Sequence, residues 1–436
     1  AGFIVERQRG FANKGGMAVC RHQPRHVAQR PAARLPLAPQ AREAVIVGAG
    51  LAGAACAWAL ARQGLACTVL DARPGPAQAS SGNPAGLFHG TLNPDDGLHA
   101  RFNRAAALAT ATALRELPAL PWLQRGLLRL ETQREAPAMQ ALIDRLGLPP
   151  DYVQALAPAD AAALAGLPLQ QPAWFYPGGG ALPPPAYVQA LLDAAGARVQ
   201  PDSAVARLER AGDRWRLFDA QGRLLAETAA LVLAGGHEGL DLLRDWAPGL
   251  PLLRQRGQLS HLPAAALRPR LPVAGAGYAL DDGQGGVWCG ASGADEDMDA
   301  ALRESDQQAN LRQWAKLAGL ADAPRAPLAG RVGWRLLSPD RLPLVGGLPD
   351  PGPAADPSTG PGAASAPRLD QPRLLPRLPG LVLCSAFGSR GIGWAALCGR
   401  IAAAQLSGAP LPLEASLLDA VDPARFMLRQ ARASSR

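Results

Sequence analysis

The stretch VIVGAGLAGAACAWALARQGLACTVLD, residues 45–71, constrains the fold more than any other part of the chain. An apolar strand runs into G-A-G-L-A-G, followed by a helix of small residues, a second apolar strand and an acid. Gly48 allows the tight turn out of the strand, and Gly50 lets the backbone come close to a pyrophosphate. Gly53 lets the helix pack on the sheet, while the helix N-terminus faces the phosphates. Asp71, 23 residues after Gly48, stands where an acid reaches a ribose hydroxyl. The reading is a dinucleotide site, with Leu51 counted among its residues. The motif alone does not separate NAD from FAD.

At 436 residues and 48% hydrophobic content, the chain can bury a large core, and two domains are expected. No run approaches the roughly 18 uninterrupted apolar residues of a membrane span, so no membrane partner is expected. The N-terminus has no apolar segment of the signal-peptide kind. It also lacks an initiator Met, which reads as a fragment or a processed product. The six cysteines show no C-x-x-C spacing and no clustering with His. They read as buried small hydrophobes in a reducing cytoplasm, with no metal site. The net charge of +8 is concentrated at one end: residues 1–42 hold eight basic side chains and one acid, leaving the rest nearly neutral. Bulk charge therefore says little about nucleic-acid binding by the main body.

Residues 1–21 read as two short strands around a turn and 22–42 as a Pro/Arg linker. The nucleotide-binding unit begins at Glu43. Residues 183–199 read as a helix entered by prolines, and 203–236 as a β-meander ending in the buried strand ALVLAGG. Residues 85–177 and 255–330 look like a second domain interleaved with the first. This divides the nucleotide-binding domain into 43–84, 178–254 and 331–430. Within the last part, 350–380 is rich in Pro, Gly, Ala and Ser and reads as a flexible surface insertion.

GLVLCSAFGSRGIGWAALCGRIAAAQLSG (380–408) is a second strand, glycine turn and apolar helix. A simple NAD domain has no need of it. A flavoprotein does, because a helix N-terminus there stabilises the negative charge that grows on the pyrimidine edge of the ring on reduction. Gly388, Gly391 and Gly393 permit that approach, with Ile392 beside them; a packed helix with an ordinary turn is the alternative. ASSGNPAGLFHG (79–90) offers Ser81, Gly82 and Asn83 to phosphate, ribitol or ring atoms. The pair of motifs favours FAD.

The set formed by the fingerprint, the A-S-x-G-N loop, the meander, RGQLS (256–260), GWRLLSPDRLPLVG (333–346) and the terminal helix resembles the FAD-dependent D-amino-acid oxidase and glycine oxidase superfamily over about residues 43–430. SSGNPAGLFHGTLNP, SAFGSRGIGWAALCG and PLPLEASLLDAVDPARFMLR are more closely similar to the oxidoreductase half of the bifunctional tRNA 5-methylaminomethyl-2-thiouridine biosynthesis family. GFIVERQRGFANKGGMAV resembles the closing strand pair of that family's methyltransferase half, more loosely where this chain reads GGM. The resemblance implies a mixed α/β (α+β) fold, with a Rossmann-like FAD-binding domain interleaved with a substrate domain on an antiparallel sheet. It also implies a methyltransferase domain upstream of Ala1. S-adenosylmethionine would serve that missing domain alone, since its cofactor-binding motifs are not in this sequence.

The activity so implied is flavin-dependent removal of the carboxymethyl group from carboxymethylaminomethyl-uridine at the tRNA wobble position, giving aminomethyl-uridine and glyoxylate. A glycine-like carboxylate needs a cation, and Arg presents a bidentate fork. Arg335 matches the carboxylate-binding Arg of the glycine oxidase relatives; a surface salt bridge is its other reading. Arg390 sits in the flavin-facing turn, for substrate or flavin charge or for structure. Tyr278 falls where relatives place an active-site Tyr, with core packing the alternative. His89 is placed to approach the ring, whereas His237 and His261 read as structural. A small-molecule glycine or sarcosine oxidase and a non-enzymatic flavin-binding scaffold are the competing functions. The LEASLLDAVDPARF phrase and the methyltransferase-like tail favour tRNA over the first of these.

Overall fold

Along the strand Glu43–Val47, Ala44 and Ile46 alternate with Val45 and Val47, and all four are buried. Burial on both faces is what a parallel strand requires. The computed structural model describes residues 3–10, 12–13, 15–23, 34–117, 120–263, 267–320, 322, 329–350 and 371–434. Around Glu43–Val47 it builds a six-stranded sheet in the order Leu344–Pro349, Arg377–Ser385, Leu231–Leu233, Glu43–Val47, Ala66–Leu70, Arg198–Gln200. The last five run parallel, and the first is antiparallel to its neighbour.

One face of this sheet, with Ile46, Val69, Val232 and Val382, packs on the helices Leu51–Ala61, Pro184–Ala195 and Gly391–Ser407. The other, with Val45, Val47, Leu231, Leu233 and Leu383, lies under the meander Arg207–Ala211, Arg214–Phe218 and Leu224–Thr228, whose Trp215 is fully buried. Helix Leu51–Ala61 is apolar on nearly every side because it is enclosed between the sheet and helix Gly391–Ser407. A Cβ on Gly399 would overlap the carbonyl oxygen of Ala55 and lie 2.6 Å from its carbonyl carbon, so these two helices cross backbone to backbone.

A ten-stranded sheet forms the second layer. Its longest pairing joins Leu253–Leu262 to Ala329–Leu337, antiparallel from Leu253–Leu337 to His261–Ala329. Helix Glu304–Ala318 covers it with Leu311, Trp314 and Leu317. Arg256, from the RGQLS motif, is buried there. It donates to the Asp299 and Ala301 carbonyls and pairs with Asp306 at 2.6 Å, anchoring the segment before that helix.

The expected domain boundaries shift where strands cross them. Ala173–Leu182 runs through the boundary placed at 177 and Ala329–Leu337 through that at 330, and both belong to the ten-stranded sheet. Helix Leu98–Glu116, expected in the substrate domain, packs into the core under the first sheet, where Thr110 Oγ1 donates to the Gly393 carbonyl at 2.9 Å. Alternation identifies a strand but not the sheet it joins. Most of the expected insertion, 351–370, lies outside the described residues. Its end, 371–380, is not a loose surface segment. Pro372 is buried, Arg377 makes two 2.9 Å hydrogen bonds to the buried Asp422, and the second strand of the six-stranded sheet begins at Arg377. Pro379 and Gly380 hide that strand's pattern in the sequence.

Residues 1–35 form a separate unit, a hairpin of Phe3–Gln8 with Met17–His22. No described helix is long and apolar enough to cross a membrane. All six cysteines are free, and five are buried.

Gly399→Ala should disturb the helix crossing, at a cost of about 1–3 kcal/mol for forced overpacking. Gly393→Ala, whose added Cβ would meet only Phe88 Cβ at 3.8 Å, should be tolerated structurally. Thermal denaturation of the two variants checks this; equal melting temperatures would refute the close crossing.

Candidate active site

In an open parallel sheet, ligands bind beyond the carboxyl ends of the strands. The turn after Val47 and the turn after Ser385 leave by that edge, on strands separated only by Leu231–Leu233. Both open into one cavity of about 530 Å³. Gly48 takes φ +104°, and the Ala234 carbonyl oxygen would lie 2.7 Å from any Cβ there, so the turn tolerates only glycine. Gly53 packs against this turn, since a Cβ on it would overlap the Gly48 carbonyl oxygen. Gly388 takes φ +54° in the second turn, against the Leu337 side chain.

Of the residues singled out in the sequence, Gly50, Leu51, Ser81, Asn83, Tyr278, Arg335, Gly388, Arg390, Gly391, Ile392, Gly393 and His89 line the cavity. Gly48, Gly53, Asp71 and Gly82 stand behind its wall. The Asp71 carboxylate accepts from the Ala49 N–H at 2.5 Å and the Arg73 N–H at 2.9 Å, bracing the first glycine turn. Ser81 Oγ accepts from the Leu51 N–H at 3.0 Å and caps the fingerprint helix. The amides of Gly391, Ile392 and Gly393 find no acceptor among the described residues. They present the positive end of a 17-residue helix to the cavity. Two glycine turns, two helix N-termini and a run of free amides fit a dinucleotide whose ring gains negative charge.

Sequence reasoning missed Arg331. Its guanidinium donates to the carbonyls of Ala79 at 2.6 Å and Gln78 at 3.2 Å and to Asn83 Oδ1 at 3.1 Å. Ser80 Oγ in turn donates to the Trp334 carbonyl. Loop 78–83, which follows the first sheet, is thus fastened to a strand of the second. The motif GWRLLSPDRLPLVG begins at Gly333, two residues beyond Arg331. Trp334 and Arg129 also line the cavity. Trp334 lies inside that motif, and nothing in the sequence distinguishes Arg129 from a surface cation.

Arg335 is half-buried, with one bond of 3.4 Å to Gln255 Oε1, and its fork lies over Gly257, where a Cβ would come within 2.6 Å. Arg390 donates to Thr91 Oγ1 and Asn103 Oδ1, both at 3.3 Å. Among the described residues neither guanidinium pairs with a carboxylate, and none of the Asp or Glu side chains lines the cavity. Burial, and then the charge of Arg129, push the Arg390 pKa down. Burial raises the Tyr278 phenol to about 12, against the opposing pull of Arg335, so it remains a hydrogen-bond donor. Burial and the charges of Arg390 and Arg129 lower His89 to about 3. Its Nδ1 faces the Gly90 carbonyl, which can only accept, so the neutral ring carries its proton there. His237 also lines the cavity, lowered by burial, with its ring 5.7 Å from Trp334.

A dinucleotide-binding sheet sharing one cavity with a large, mainly antiparallel sheet defines a redox enzyme built in two layers. The chain belongs to the FAD dependent oxidoreductase family, whose model matches residues 43–405. It is 43% identical to the tRNA 5-methylaminomethyl-2-thiouridine biosynthesis bifunctional protein MnmC of Methylibium petroleiphilum, the match covering 100% of this chain and 68% of that protein. To the MnmC of Paraburkholderia phytofirmans it is 38% identical, over 99% of this chain and 67% of that one. Among solved structures it is similar in fold to glycine oxidase from Geobacillus kaustophilus (TM-score 0.67, 21% identity, 88% of this chain and 99% of that one). It is likewise similar to iminodiacetate oxidase from Chelativorans (TM-score 0.66, 23% identity, 87% and 98%). FAD is the cofactor.

The His89 shift predicts a pH effect. Between pH 6.5 and about 3 the unfolded chain binds a proton at this residue that the native state does not, so stability rises with pH across that window. His89→Gln should therefore lose less thermal stability than the wild type on going from pH 7 to pH 4. Parallel melting curves for both proteins would show that His89 is not held neutral.

Proposed function

We propose that this chain removes the carboxymethyl group from 5-carboxymethylaminomethyl-(2-thio)uridine at the wobble position of tRNA by flavin-dependent oxidation, leaving 5-aminomethyl-(2-thio)uridine and glyoxylate. The observation that carries the reading is the charge of the inner cavity wall: Arg335 and Arg390 line it, and among the described residues no acid does. The group to be removed is an N-substituted glycine, whose carboxylate requires such a wall. The names of the relatives supply tRNA as the bearer of that group.

Bound FAD supplies the two-electron oxidant for the C–H bond beside the amine. Gly50, Leu51 and the loop carrying Ser81 and Asn83 would hold its phosphate side, and the amides of Gly391–Gly393 its electron-rich ring edge. Arg335 would take the substrate carboxylate in a fork, with Arg390 beside it and the Tyr278 hydroxyl donating to the bound group. Orientation then does the chemical work, because the CH2 must face the oxidant and the amine must be neutral. Loss of two electrons and two protons from the N–CH2 unit gives an imine. Water adds to its carbon, the C–N bond breaks, glyoxylate departs and the primary amine stays on the uridine.

A fused methyltransferase using S-adenosylmethionine we assign to the part of the bifunctional relatives outside this match. The free cysteines support a cytoplasmic setting.

Incubation with tRNA carrying the carboxymethylaminomethyl nucleoside, followed by nucleoside mass spectrometry and a glyoxylate assay, tests the reading. Fast oxidation of free glycine or sarcosine with unchanged tRNA would replace it by a small-molecule oxidase. Arg335→Ala should keep its flavin but raise KM by roughly 30-fold to several-thousand-fold, the equivalent of about 2–5 kcal/mol for breaking a desolvated charge pair. Unchanged kinetics would move the carboxylate to Arg390.

A further inference from the structure

The rim of the cavity is unlike its interior. Ala274, Gly275, Ala276 and Gly277 form one stretch of wall with no side chain beyond a methyl group, and Gly275 and Ala276 are exposed. Arg129 pairs with Ala274 across the sheet, so it stands beside this bare stretch. It lines the cavity and yet is solvent-exposed. Among the described residues its guanidinium has neither a hydrogen bond nor an ion pair. The nearest acid in sequence, Glu131, just past the end of its strand, is committed elsewhere. Glu131 accepts from Trp174 Nε1 at 2.9 Å and from the amides of Thr132 and Gln133, and lies 3.6 Å from Arg134. Deeper in, Arg390 and Arg335 already provide for one carboxylate. A third cation at the mouth, without an acid beside it, is surplus to that need.

We propose that Arg129 binds a backbone phosphate of the RNA when the target nucleotide enters the cavity, making it a specificity residue for polynucleotide over free nucleoside or amino acid. The inference rests on the proposed tRNA substrate. An everted nucleotide brings its flanking phosphate to the rim, and walls of Ala and Gly leave room for the sugar-phosphate chain. A guanidinium suits the anion as a fork. A small amine oxidised in the same cavity would carry no anion as far out as the rim.

Two probes separate the possibilities: an anticodon stem-loop RNA carrying 5-carboxymethylaminomethyl-uridine, and the corresponding free nucleoside. Arg129→Ala should raise KM for the RNA by roughly tenfold to a hundredfold, as for one lost charged hydrogen bond, with kcat little changed. Turnover of the nucleoside should stay within twofold of wild type, and Arg129→Lys should restore part of the RNA loss. Independently of turnover, the slope of log affinity against log salt for the stem-loop should flatten by about 0.7 for one lost phosphate contact on a single strand. Equal losses on RNA and nucleoside would show that Arg129 holds the substrate carboxylate and overturn the inference. Unchanged RNA kinetics and salt slope would overturn it too. A wild-type chain inactive on the modified stem-loop would instead remove the tRNA reading beneath it.

Discussion

The contact on which the rest of the structure depends is the crossing of helices Leu51–Ala61 and Gly391–Ser407 at Gly399 and Ala55. Their first residues also lie together, a Cβ on Gly391 coming 3.1 Å from Leu51 Cδ1, so the two N-termini stand side by side. Those N-termini belong to the two glycine turns that bound the cavity. The small residues of the fingerprint helix and the Ala-rich terminal helix serve this geometry before any ligand is considered. A larger side chain at Gly399 would spread the helices and, with them, the positive ends that face the cavity.

The electrostatic character of the site follows from what surrounds these turns. Wall residues come from both sheets, and the ionisable ones are cations, a phenol kept protonated and imidazoles kept neutral. Positive charge is therefore concentrated without competing acids, and an entering carboxylate meets guanidiniums that have only weak neutral partners. Burial strengthens each of these attractions relative to water. The neutral His89 contributes polarity without adding a further cation.

Much of this arrangement was legible in the sequence. The strand, glycine turn and helix at 45–61, the meander and the second glycine turn at 386–391 carry local signals, because turn chemistry and alternation are written in neighbouring residues. Sheet membership was not legible: 178–182 and 331–337 fall in segments expected in the nucleotide-binding domain, yet they join the other sheet through partners more than 50 residues away. The segment 371–380 was misread because Pro and Gly mask a strand fixed by Arg377 and Asp422, a tertiary ion pair. Asp71, Ser81 and Asn83 were chosen for ligand chemistry, and each is also a structural acceptor for a group distant in sequence. Arg331 and Arg129 lay outside any motif; only the folded chain brings them to the site.

The Arg331 fastening has a mechanical consequence. Its three acceptors lie on a loop following the dinucleotide sheet, while Arg331 itself lies on a strand of the other sheet. Hinging the two layers apart would break all three hydrogen bonds and the Ser80–Trp334 bond together. It would also leave several polar groups without partners at once. Parting the layers to admit a ligand would therefore cost these bonds together, and the fastening favours a cavity mouth that keeps its shape. On the proposed tRNA reading, a wobble nucleotide turned out of its own stack would meet a mouth braced in this way, and the larger share of the conformational change would fall on the RNA.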